Sequence, residues 1–390
     1  MSVTVTTTSP HRKASRLPAA TRGAHTSSVN AASCNTRSAA ASRAHKPLRI
    51  AKPAAMKAPP VRYAQATGEG SDAELMTPSA QESAERSAWE LPELLGLTGD
   101  LDRLHDFIGE WIDACDAEVQ AMVRRQLSGR AKYFRPMTVF ACYHATTPKP
   151  LSIRMLRAAA AVELIHNVAL IVDYILDRSR YRRGQLSLHC RYGFLPALMT
   201  SGYIGFAGAQ LVATDPYSVR LVAELMQRLG AAECFQWRLR RQPLGVEDWR
   251  QVAGADTGTM FEICARLGTR DDTLLKYGLL LGTLYHGCDD VADVRGTSAL
   301  GGGSEKDIED GILTLPAAVA MRDPATALLI RDVRPENYAE TARRLQAALP
   351  DAEAYLDRLA VEAEYEALNN APYPARLVDL IRHTRALSAV

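Results

Sequence analysis

The stretch Glu163-Leu-Ile-His-Asn-Val-Ala-Leu-Ile-Val-Asp173-Tyr-Ile-Leu-Asp177 is apolar for most of its length and ends on two aspartates, with Arg182-Arg183-Gly184 close behind. It holds neither glycine nor proline, and Leu151–Ser179 as a whole reads as one long, mostly buried helix. Carboxylates four residues apart project from one face of a helix. A second stretch repeats the design: Tyr277-Gly-Leu-Leu-Leu-Gly-Thr-Leu-Tyr-His-Gly-Cys-Asp289-Asp290-Val-Ala-Asp293 runs twelve residues without a formal charge and then presents three acids. Each cluster marks the open end of an apolar helix.

The flanking chain is helical in both directions. Leu101 to Gln126 carries Leu104, Phe107, Ile108, Trp111 and Ile112 at three- and four-residue spacing, the period of one amphipathic helix. Leu195–Leu211 and Val219–Arg240 read as two more helices, Pro243-Leu-Gly245 breaks the chain, and Val246–Leu267 and Thr273–Val291 are helical again. The glycine-rich run Gly296–Gly303 is a loop. Asp323 before Pro324 has the form of an N-cap followed by a first-turn proline. No run of alternating β-branched residues supports a strand. The expectation is an all-α domain of about ten helices.

Composition divides the 390 residues unevenly. The first 68 contain eleven lysines and arginines, many Ser, Thr and Ala, and no acid before Glu69. Such a segment cannot build a core, and its basic, hydroxylated, acid-free character is that of an organelle leader. Residues 1–68 are thus expected to be a transit-like leader, 69–88 a linker, and 89–390 the folded domain. Outside the leader, 35 bases stand against 44 acids, a formal charge of −9. That balance offers no basic face for nucleic acid. The seven cysteines, at Cys34, Cys115, Cys142, Cys190, Cys234, Cys264 and Cys288, form no Cys-x-x-Cys pair, so neither a zinc site nor a disulfide framework is indicated. Arg154, Arg157, Glu163 and Asp173 interrupt the longest apolar segment, and the 277–288 stretch is too short to span a bilayer. No transmembrane segment is expected.

Two aspartate-bearing faces opposed across an apolar cavity would suit Mg²⁺, which takes one or two carboxylates and fills its sphere with waters and phosphate oxygens. The ions would in turn hold a diphosphate with an apolar tail. Arg182 and Arg183 add guanidiniums, which grip phosphate bidentately. Lys132-Tyr-Phe-Arg135-Pro136 places two further cations at a helix start, and His189 follows the arginine pair.

Taken in order, Lys132-x-x-Arg135-Pro136, Glu163-Leu-Ile-His166, Asp173-x-x-x-Asp177, Arg182-Arg183-Gly184, His189 and Asp289-Asp290-x-x-Asp293 resemble the trans-isoprenyl diphosphate synthases, over roughly Gly129 to Pro316. The resemblance implies an isoprenoid-synthase-type helical bundle around a central apolar cavity. It implies Mg²⁺ at Asp173, Asp177, Asp289, Asp290 and Asp293, with Asp173, Asp177 and Asp289 catalytic. An allylic diphosphate would lie between the clusters and against Arg182. Isopentenyl diphosphate would lie against Lys132, Arg135, Arg183 and His189, with Thr257 and His286 also lining the substrate site. A homodimer, or a heterodimer with a related synthase, is implied as well.

The chain departs from that family's pattern at one side of the site. Tyr174 stands where the first motif has a second aspartate, Asp256-Thr257 where it has Lys-Thr, and His286 where it has Gln. Leu300-Gly301-Gly302 and Gly311-Ile312-Leu313-Thr314 each lack a lysine. Three readings follow: a prenyl diphosphate synthase with a rebuilt allylic site, a same-fold cyclase or prenyltransferase to a non-isoprenoid acceptor, and a non-catalytic regulatory subunit. Under the first, Val168 and Ala169, one turn below Asp173, leave an open floor that favours a product of twenty carbons or more.

Overall fold

The computed structural model describes residues 91–127, 132–182, 185–296 and 304–388. The expectations for residues 1–88, Arg183 and Leu300-Gly301-Gly302 lie outside them. Described helices are α1 Thr98–Asp113, α2 Ala117–Leu127, α3 Phe134–Thr146, α4 Ile153–Leu176, α5 Leu188–Tyr192, α6 Phe194–Leu211, α7 Pro216–Leu239, α8 Val246–Ala253, α9 Thr259–Thr269, α10 Leu275–Arg295, α11 Ser304–Asp310, α12 Leu315–Ala320, α13 Pro324–Arg331, α14 Tyr338–Ala347, α15 Leu349–Asn370 and α16 Ala375–Ala386. The all-α expectation holds. A two-residue hairpin, β1 Tyr181–Arg182 and β2 Gln185–Leu186, is the exception, with Tyr181 paired to Leu186 and Arg182 to Gln185. Strands this short leave no alternating pattern for a sequence to carry.

The helix expected over Leu101–Gln126 is two. The chain turns at Cys115-Asp116, where the Asp116 carboxylate accepts from the Glu118 amide at 2.9 Å and starts α2. The helix expected over Val246–Leu267 is interrupted by a π turn, Gly254–Gly258, between α8 and α9. The cap at Asp323 forms as expected, its carboxylate accepting from the amides of Ala325 and Thr326.

α4 is the central helix. Ser152 caps it, and Ala158, Ala159, Ala160 and Ala161 are fully buried. By length and composition alone it could cross a membrane; in this fold the same apolar character serves the interior of a bundle, where α4 packs on α6, α3 and α1. α9 lies against α3 and α10, and α10 also carries α15 and α16. Small residues permit these approaches. A Cβ on Gly282 of α10 would stand 2.5 Å from the Thr257 carbonyl, and one on Gly278 would stand 2.6 Å from the Phe261 carbonyl. A charged clamp fixes α7 to α9: Arg228 donates to both oxygens of buried Glu262 at 2.9 and 2.7 Å and to Thr259, and Arg266 joins Glu262 to Glu224 and Asp272. Removing one partner of a buried pair leaves the other uncompensated.

Gly282→Val is expected to force α10 away from the π turn and lower stability by about 1–3 kcal/mol, read as a drop in melting temperature of the full-length protein.

Candidate active site

The two aspartate clusters point into one interior. Asp173 and Asp177 stand at the end of α4, and Asp289, Asp290 and Asp293 occupy the last turns of α10. Groups between them respond to both. Arg135 lowers the proton affinity of Asp173 and of Asp289, Asp256 raises that of Asp173 and of Asp290, and Asp307 is pushed up by Asp290, Asp177 and Asp289 together. Two acids that the sequence reading did not place in the site thus join it, Glu233 from α7 and Asp307 from α11, beside Asp256 of the π turn.

Crowding shows in the carboxyl groups. Burial, then the carboxylates of Glu233, Asp256 and Asp177, pushes Asp173 well above the usual carboxylate range. Burial and Asp290 raise Asp289 to about 7. Burial, then Asp289, Asp307 and Asp290, raises Asp293 to about 8. Asp307 and Glu233 are both raised to about 7, chiefly by burial and then by neighbouring acids.

Asp290 is held differently from its neighbours. Its Oδ2 accepts from the Trp249 indole at 2.8 Å and from the Leu315 amide at the start of α12, also at 2.8 Å. One of its two oxygens is therefore committed to the fold. Asp293 is 9% exposed, and its Oδ1 has no hydrogen-bond partner.

Thr257 and His286 meet across the π turn and α10. Thr257 Oγ1 lies 2.9 Å from His286 Nδ1 and donates to Asp256 at 3.1 Å. Asp256 is 3.6 Å from Nδ1, and Asp290 Oδ1 is 3.9 Å from Nε2. Burial opposes a charge on His286, but Asp290, Asp256, Asp289 and Asp307 outweigh it and hold its pKa above the ordinary value.

The cations expected to share one basic pocket have separate partners. Arg135 Nη1 lies 3.1 Å from His166 Nε2 on α4, and its guanidinium sits 5.5 Å from the centre of the Phe261 ring. His189, on α5, lies 3.2 Å from the Ser187 hydroxyl, and burial lowers its pKa. Lys132 acts on Asp289. Of Arg182 the backbone pairing in β1 is described.

Magnesium fits this donor set. Among the described residues no three acidic, histidine or cysteine side chains converge closely enough to chelate an ion unaided. The carboxylates are hard oxygen donors spread over α4, α7, the π turn, α10 and α11, one buried oxygen of Asp293 is unpartnered, and Mg²⁺ ordinarily needs phosphate oxygens and water to complete its shell.

A family model described as polyprenyl synthetase matches residues 116–349. The chain belongs to the polyprenyl synthetase family. It is 26% identical over 276 residues to a nonaprenyl diphosphate synthase of Mycobacterium tuberculosis, a match covering 65% of this chain and 82% of that one. It is 30% identical over 188 residues to an octaprenyl diphosphate synthase of Haemophilus influenzae, covering 45% of this chain and 57% of that one. Among solved structures, a polyprenyl synthase from Caulobacter crescentus, complexed with calcium and isoprenyl diphosphate, superposes with a TM-score of 0.67 at 20% identity, covering 77% of this chain and 97% of that one. That likeness shows a shared fold.

The raised carboxyls set a pH dependence. Each of these groups binds its proton more tightly folded than unfolded, so the folded state loses stability progressively as pH rises from the unfolded carboxylate range, about 4, to the folded values of about 7 to 8, and loses no more above them. Metal-free protein is expected to melt at a higher temperature at about pH 6 than at about pH 8.5, and excess Mg²⁺ is expected to flatten that difference in scanning fluorimetry.

Proposed function

We propose that this chain is a Mg²⁺-dependent trans-type prenyltransferase that condenses an allylic prenyl diphosphate with isopentenyl diphosphate to a product of twenty carbons or more. The observation that carries the reading is the convergence of the α4 and α10 aspartates on common neighbours, Arg135, Asp256 and Asp307. Relatives named nonaprenyl and octaprenyl diphosphate synthase support it.

Asp173, Asp177, Asp289 and Asp293, with Oδ1 of Asp290, would hold Mg²⁺, which when bound neutralises charge on a leaving diphosphate. Arg182 would grip the allylic diphosphate, and Lys132, Arg135, Arg183 and His189 the second one. Thr257 fixes the His286 ring, so that histidine meets the substrate in one orientation. Phe134, Tyr285 and Phe261 stack edge-on and tilted at 5.1 and 5.5 Å and give the interior a dry wall beside the site, which protects an allylic cation from water. The proton lost on condensation passes to the released diphosphate. Below Asp173, a Cβ added at Gly205 of α6 would stand 3.5 Å from Val168, so a glycine and a valine rather than bulky aromatics face each other at the proposed floor.

Residues 1–68 are proposed as an organelle leader, 69–88 as a linker and 89–390 as the catalytic domain. Phe194, Leu195, Leu198, Met199 and Phe206 of α6 are exposed, and a second copy of the chain is the proposed cover for that apolar face. A second reading, cyclisation or transfer to a non-isoprenoid acceptor, is favoured by Asp256 and His286 where the resemblance leads one to expect Lys and Gln.

Incubation of the full chain with Mg²⁺ and geranyl, farnesyl or geranylgeranyl diphosphate is expected to give elongated diphosphates only when isopentenyl diphosphate is added. A hydrocarbon or alcohol formed without it would favour the second reading. Asp289→Asn should lower kcat by about a hundredfold or more. Phe206→Asp combined with Met199→Asp should shift the sedimentation coefficient from dimer to monomer, whereas an unchanged coefficient places the interface elsewhere.

A further inference from the structure

The last helix, α16, carries a histidine that the site as built so far does not use. His383 is 9% exposed, and its Nε2 has no hydrogen-bond partner. Its ring centre lies 5.8 Å from that of Phe134, at the start of α3, and Phe134 stacks in turn on Tyr285 of α10. Lys132, two residues before Phe134, acts both on His383 and on Asp289. The lysine therefore stands in reach of the acidic interior on one side and of this imidazole on the other.

Buried polar atoms are nearly always bonded, and one that is not calls for an explanation. His383 is a neutral ring: burial, and then the Lys132 charge, holds its pKa down at about 4. A neutral imidazole donates one N–H. At the same helix start, Arg135 Nε is also buried without a partner. With the proton on Nε2, these are unmet donors beside a lysine, which disfavours a metal cation as the missing partner and suits an anion rich in acceptor oxygens.

We propose that His383 is a direct ligand of the second diphosphate substrate, its Nε2–H donating to a phosphate oxygen that Lys132 also holds. This rests on the condensing reaction proposed above. It gives the C-terminal helix a part in substrate binding. The α16 helix is well placed for it: it packs on α3, α10 and α15, and the Tyr277 hydroxyl of α10 donates to the Leu377 carbonyl at 3.2 Å.

The test uses the full-length protein with Mg²⁺, saturating allylic diphosphate and varied isopentenyl diphosphate. His383→Phe keeps the ring against Phe134 and removes the donor. It is expected to raise the KM for isopentenyl diphosphate about tenfold or more, to leave the allylic KM within about twofold, and to melt no lower than the wild type. An unchanged KM for isopentenyl diphosphate overturns the proposal. His383→Gln retains an N–H and is expected to recover most of the loss; glutamine behaving like phenylalanine overturns it too. If the wild type elongates nothing, the condensing reaction itself has failed, and the ligand role is then read from pyrophosphate without metal. In that arm pyrophosphate should raise the melting temperature of the wild type more than that of His383→Phe, and equal shifts overturn the proposal.

Discussion

Like charges brought together away from water repel strongly, and this interior is built on that repulsion. Carboxylates from α4, α7, the π turn, α10 and α11 face one region. In a medium of low dielectric such a set cannot all be ionised without cations beside it. The fold tolerates the crowding because the supporting framework is stiff. Arg228, Glu262 and Arg266 tie α7 to α9, glycines bring α10 against its neighbours, and Trp249 with the Leu315 amide pins Asp290. The helices hold the acids at fixed stations, and a polyanion with its metal ions becomes the natural complement.

The framework and the core of the site were legible in the chain for a physical reason. A long, mostly apolar run without glycine or proline reads as a buried helix, and acids at its end mark where the burial stops. α4 and α10 announce themselves in that way, and Asp323 before Pro324 announces a helix start. What escaped notice depends on tertiary placement. Glu233 and Asp307 lie on helices rich in polar residues and look locally like solvated acids. The break at Cys115-Asp116 has neither glycine nor proline, so the helical period runs on across it; the aspartate cap was the available signal. His383 is an isolated histidine among arginines and leucines, and only the packing of α16 reveals that its nitrogen is buried and unbonded.

The family pattern and this chain differ on the side of the site where lysines are expected. The structure puts an acid, Asp256, beside His286 there and links the two through Thr257. Positive character on that wall now comes from an imidazole gripped by carboxylates, a shorter and more rigid group than a lysine.

The π turn at Gly254–Gly258 has a geometric consequence of its own. A helix advances about 100° of rotation per residue, so the wide turn acts as a phase adjuster between the two halves of an otherwise continuous spiral. Upstream, it sets where Trp249 meets Asp290; downstream, it sets where Glu262 meets Arg228. Delete a single residue from that loop of backbone and one contact can be kept only by dialling the other out of alignment. The bulge is the gear that lets the Trp249-bound Asp290 and a distant ion clamp mesh on the same rod.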